Sequence, residues 1–215
     1  MYLDSIVKFL RKGQLPRMLP SERSRPARPI AAIRLDGGRL CLDFVNTIHN
    51  RYAVGAEDYI AQPGRFIEWC VLAGACHSGE HIAAPKGTGQ RATLMREVRT
   101  LRHHLDALLT SRIDGVPPPT DAVQCLDRWL HRAWASQTLG RDGQMHWRGD
   151  AINALLPLKR IALDALALIS DPSVAQLRLC ANTSSCGWLF LDTSKNQRRR
   201  WCAMETCGTA VKMKR

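Results

Sequence analysis

The chain has 215 residues, 45% of them hydrophobic, which is enough for one good core plus a small appended module. No apolar run approaches the roughly 20 residues a bilayer span needs, and the opening MYLDSIVKFLRKG lacks the apolar stretch of a signal peptide, so a cytoplasmic protein with no membrane partner is expected. The net charge of +12 gathers at the ends: residues 1–39 carry nine Lys/Arg against three Asp/Glu, residues 40–175 fourteen of each, and residues 176–215 eight against two. Basic ends around a neutral middle point to a polyanion such as DNA or RNA, with solubilising tails as the plain alternative.

Residues 1–29 read as a basic, Pro-containing, flexible extension. Leu3, Ile6, Val7 and Leu10 have helical spacing, and PRMLPSERSRPARP then reads as an unpacked linker. From Ile33 the text changes to a short strand-like piece, a turn at Gly37-Gly38 and a helix with Leu40, Phe44, Val45 and Ile48 on one face. Pro63 suits the first turn of a second helix through RFIEWCVLAGAC. Leu94, Val98, Leu101, Leu105 and Leu108 mark a third helix, ended by DGVPPPT. Thr120 or Asp121 can cap a fourth, carrying Val123, Leu126, Leu130 and Trp134. SQTLGRDGQMHWRG alternates around Asp142-Gly143 and predicts a hairpin. A long apolar helix, kinked or started near Pro157, follows. Pro172 makes a domain boundary, and Leu177 to Leu179 lead as a strand into the first of four clustered cysteines.

Those four are spaced Cys180-x5-Cys186-x15-Cys202-x4-Cys207. Two close pairs supply four thiolates, the donor set of a structural zinc site. In a reducing compartment paired cysteines suggest metal more than disulfides; four unrelated thiols are the competing reading. GWLFLD alternates as a strand, DTSKN is turn-prone, and AMETCGTAVKMKR has helical character. A module this small has few apolar residues, so bound metal would supply its folding free energy, and its loss would unfold residues 176–215 while leaving most helical signal. Cys41, Cys70, Cys76 and Cys125 sit in apolar helical settings and read as core packing.

The tail resembles the CGNR zinc finger, through Cys186-Gly187-Trp188-Leu189-Phe190-Leu191-Asp192, Ser194, Asn196, Arg199, Arg200, Trp201, Cys202, Met204, Cys207 and Gly208. The opening Leu35-Asp36-Gly37-Gly38 with Leu42-Asp43-Phe44-Val45-Asn46-Thr47 resembles the ABATE domain to which that finger is attached. The chain departs from the motif at Thr209-Ala210, where the family has Asn-Arg. The resemblance implies a stress-induced bacterial transcription regulator. Its expected fold is mainly α with short β elements: an ABATE-like helical domain over 30–172, and a four-cysteine finger of treble-clef or ribbon type over 173–215 holding one structural Zn(II) per chain.

Candidate DNA contacts are Lys195, Arg198, Arg199, Arg200, Lys212, Lys214 and Arg215, because arginine forks bind phosphate or the guanine edge bidentately; a solvated surface run is the plain alternative. One finger makes few contacts, so a homodimer or the N-terminal arm is expected to help. RNA is a second reading, with Trp188, Phe190 and Trp201 as stacking surfaces, although two or more of them would serve as the finger's core. A third is a small-molecule sensor. Asp43, Asn46 and Asn50 form a polar stripe on the first helix, flanked by His49 and Arg51, and such a stripe could line a pocket; hydrogen bonding to neighbouring loops is the plainer role. No phosphate loop, G-x-S-x-G or H-E-x-x-H occurs, and His103-His104 point apart on a helix, so no enzyme is expected.

Overall fold

A computed structural model describes residues 28–52, 56–77, 79–149 and 152–213. The helical spacing at Leu3 to Leu10 and the Pro-rich stretch before Arg28 lie outside the described residues, as do Lys214 and Arg215.

A short 3-10 turn at Ile30–Ala32 precedes the stretch from Ile33 expected to be strand-like, and residues 33–36 join no ladder among the described residues. The Gly37-Gly38 turn follows, with Gly38 at φ +82°, a conformation glycine adopts without penalty. Helix α1 is Leu40–Val45. Asp164 anchors its start, accepting from the Cys41 N–H at 2.9 Å and from the Arg39 guanidinium at 2.7 Å.

The expected helix through Ile48 stops early. Thr47 Oγ1 donates to the Phe44 carbonyl at 2.6 Å, and the chain turns into strand β1, Ile48–His49, antiparallel to β2, Glu57–Asp58. Asp43, Asn46 and Asn50 therefore do not share a helix. The reason is long-range: the Asn46 amide is taken up by the backbone of Leu189, which bonds it twice at 2.8 Å.

Helix α2 is Pro63–Leu72, with proline in its first turn. Helix α3, Thr88–Asp114, buries Leu94, Val98, Leu101, Leu105 and Leu108 and ends at Gly115, φ +66°. Helix α4, Thr120–Trp134, has no side-chain cap at its start. Its buried stripe is Ala122, Cys125, Leu126, Trp129, Leu130 and Ala133, while Val123 and Trp134 are exposed; the stripe is rotated from the expected one because Trp129 and Cys125, not Trp134 and Val123, face the neighbouring helices. Strands β3, Gln137–Leu139, and β4, Met145–Trp147, pair around Gly143. Helix α5, Leu156–Ile169, starts at rather than kinks around Pro157. It packs against α4 and α1, and α4 packs on α3.

Asp171 caps a 3-10 turn at Pro172–Gln176 by accepting from the Ser173 N–H at 2.7 Å. Strand β5, Leu177–Leu179, then pairs antiparallel with β6, Leu189–Leu191. All three β6 residues are buried, because both faces of this strand meet protein. One continuous apolar cluster runs from Ile30 and Phe44 through the helices to Leu189, Phe190 and the four clustered cysteines. A short π-helical turn, Met204–Gly208, leads into helix α6, Thr209–Met213. Among the described residues no helix is long and apolar enough to cross a membrane.

Candidate metal centre and basic face

Cys180 lies at the end of β5, its N–H bonded to the Trp188 carbonyl at 2.8 Å. The next turn is built on Asn182, whose carbonyl accepts from the Cys186 N–H and whose side-chain oxygen accepts from Ser184 and Ser185. Gly187, at φ +72°, lets the chain reverse into β6. The second cysteine pair is brought back by Ala181, whose N–H bonds the Arg200 carbonyl at 2.8 Å. The π-turn then carries Cys207 inward, and Thr209, standing where the CGNR pattern has Asn, closes it through a hydroxyl bond to the Met204 carbonyl.

The four sulfurs converge. All lie within 4.8 Å of one another and all four residues are buried. Cys186 and Cys202 Sγ are 3.7 Å apart, as are Cys202 and Cys207 Sγ. A tetrahedron with zinc–sulfur distances of about 2.3 Å has edges of about 3.8 Å, so the donor set and its spacing fit a metal of that kind. Hydrogen bonds from Cys186 and Cys202 hold the Cys180 thiol far below its ordinary value, and the same bonds push Cys186 and Cys202 up. The cluster thus stabilises at least one thiolate, the form that binds metal.

The arginine run is not uniform. Lys195, Arg198, Arg200 and Lys212 are exposed. Arg199 is half-buried: its guanidinium donates to the Cys202 carbonyl and lies over the Phe190 ring at 4.9 Å, and its N–H bonds Asp192 at 2.7 Å. Burial would push the Asp192 carboxyl up, but bonds from Ser194 and Arg199 hold it below the usual range. Trp188 and Phe190 are buried and Trp201 is half-buried.

The polar stripe is dispersed. Asp43 accepts from the Gly37 N–H at 2.8 Å, and burial lifts its carboxyl to about 7. Asn46 is committed to Leu189. Asn50 adopts φ +54° and its buried side-chain oxygen has no partner among the described residues. Arg51 reaches Asp106 and the Val45 carbonyl. Sequence reading missed the buried Arg102, which bonds Asp58 twice, at 2.8 and 2.6 Å, and Thr47 at 2.8 Å. The signal was present: Arg102 falls four after Val98 and three before Leu105, on the buried face of α3, where a charge requires a partner. It also missed Arg160, which joins α5 to Glu80 and holds the Glu80 carboxyl down at about 2.

A helical body carrying a buried four-cysteine cluster on its C-terminal hairpin defines a zinc-finger protein. The chain belongs to the ABATE family, described as "Putative stress-induced transcription regulator", whose model matches residues 38–172; residues 176–215 match the CGNR zinc finger. No curated protein matches the chain.

Proposed function

We propose that this is a cytoplasmic, DNA-binding transcription regulator and not an enzyme. In this reading Cys180, Cys186, Cys202 and Cys207 hold one structural Zn(II) per chain. Bound there, the ion ties the two cysteine pairs together and fills its coordination with sulfur, leaving no position for catalytic water. The order of knuckle, hairpin and terminal helix is the ground for placing the finger in the treble-clef or ribbon class.

The observation that carries the DNA reading is the exposure of Lys195, Arg198 and Arg200 on the segment that closes the four-sulfur cluster, with Lys212 on the helix beyond it. Their charges outnumber the formal −2 of a zinc tetrathiolate, and guanidinium groups suit phosphate. Arg199 has an internal role and is not counted among the contacts. The helical domain serves ligand sensing or dimerisation. RNA stacking is the weaker reading, because Trp188 and Phe190 are buried.

Fluorescence anisotropy with labelled duplex DNA over a salt series tests this. Each phosphate contact contributes about 0.9 to the slope of log K against log salt. Replacing Arg198 and Arg200 by Ala should lower that slope by about 1.8. An unchanged slope removes both from the interface. Capture of genomic DNA with the intact protein and with Cys202→Ser, side by side, then reads the site.

A further inference from the structure

Three guanidinium groups line a cleft between the end of helix α1 and helix α3. Arg51, Arg99 and Arg102 line it together with His103 and the Asp106 carboxylate, and its volume is about 340 Å³. That lies at the lower end of the size range of small-ligand pockets. Val45 and Ile48 give it an apolar wall.

The charges are not all neutralised within the fold. Arg102, only 7% exposed, is bound to Asp58. Arg51, also 7% exposed at its side chain, pairs with Asp106, which is itself 39% exposed. Among the described residues the buried Arg51 Nε has no hydrogen-bond partner. Arg99 is exposed and makes no ion pair among the described residues. A buried guanidinium with a spare donor is costly unless something accepts from it. A second guanidinium facing the same space makes that acceptor an anion.

The same arginine touches the finger. The Arg51 side chain packs on Gly187, its Cγ 3.3 Å from the place a β-carbon would occupy, and the Tyr52 ring crowds the same spot. One residue further, the Trp188 indole N–H donates to the Ile48 carbonyl at 3.2 Å. Gly187 follows Cys186 directly. The cleft wall and the first cysteine knuckle therefore share one packed contact.

We propose that this cleft binds a small oxyanion, a carboxylate or phosphate group held by Arg51 and Arg99, and that Arg51 transmits its arrival to Gly187. The anion accepts from the spare Arg51 Nε and from Arg99, and draws Arg51 from Asp106, which can turn towards Thr110 Oγ1, already 3.5 Å away. This deepens the sensor role of the helical domain proposed above, but it does not require that the finger bind DNA.

Calorimetric titration of the zinc-loaded protein with inorganic phosphate and, separately, benzoate tests it, with sodium chloride holding ionic strength constant. Saturable binding of either probe at one site per chain is expected; phosphate alone identifies a phosphoryl group, and benzoate alone a carboxylate with an apolar body. Arg99→Ala should weaken that binding at least tenfold with zinc content unchanged, while replacing Arg198 and Arg200 by Ala should leave it intact. No saturable heat with either probe, or equal binding by Arg99→Ala, overturns the site. Loss of anion binding on replacing Arg198 and Arg200 moves it to the finger and also overturns the proposal. In a parallel NMR titration of the nitrogen-15-labelled, zinc-loaded protein the Gly187 amide resonance should shift, and an unmoved resonance removes the link through Arg51. These readouts involve no DNA, so this proposal and the DNA reading fail separately.

Discussion

The helical body and the finger are built on different principles. The body is held by long apolar stripes: α3 alone buries Leu94, Val98, Leu101, Leu105 and Leu108. The finger has no such stripe. Its order comes from convergent sulfurs, a hairpin of three-residue strands and side chains that each accept several hydrogen bonds, such as Asp192 and Asn182. Yet β6 belongs to the core of the body as much as to the finger, and Asn46 pairs with it as a neighbouring strand would. The lesson is that a cysteine-clustered module can lend a buried strand to the domain before it, an arrangement that predicts coupled stability.

The strongest way to break this comparison is to remove a sulfur. Cys202→Ser should release the metal and, because β6 is shared, lower the stability of the whole chain in one transition, by more than about 5 kcal/mol given the roughly 10–16 kcal/mol that structural zinc contributes in isolated fingers. The competing outcome is the expectation that residues 176–215 unfold alone and leave most of the helical signal. Circular dichroism that keeps its full helical melting curve while the finger is lost would show that the modules are independent.

Arg102→Met tests the body by itself. It leaves the Asp58 carboxylate without its buried partner and should cost about 3–5 kcal/mol in urea unfolding, with zinc content retained. Asn46→Ala tests the joint. It strips the Leu189 N–H and carbonyl of their partners and should cost about 2–4 kcal/mol, raising the rate of zinc loss to a chelator as well. A stability loss with unchanged zinc release would place the Asn46 contact in the body alone.

The smallest effect is a pH dependence. The folded Asp43 carboxyl holds its proton up to about 7, above the ordinary value near 4. The fold therefore binds that proton more tightly than the unfolded chain, and this contribution, full below about pH 4, is lost as pH rises towards 7. Asp43→Asn should remove it, so that wild type loses roughly 2 kcal/mol more than the variant between pH 5 and 7. Parallel curves would show that the Gly37 N–H outweighs burial.

The body's helices were legible because local spacing sets them; α3 and α5 begin and end where glycine and proline dictate. The end of α1 was not, because it depends on Leu189, 143 residues away from Asn46. The rotation of α4 was hidden because apolar residues lie on more than one of its faces. In the finger, cysteine spacing announced the convergence of sulfurs, but Arg198, Arg199 and Arg200 look alike in sequence. Only the backbone path turns Arg199 inward over Phe190. The Arg51 cleft was invisible for a similar reason: Arg51 and Arg99 meet only through tertiary packing.

Zinc-edge X-ray absorption on the reduced, purified chain tests the central claim most directly. Four sulfur neighbours at about 2.3 Å around one zinc per chain are expected. Fewer than four sulfurs, or nitrogen and oxygen in their place, would contradict it.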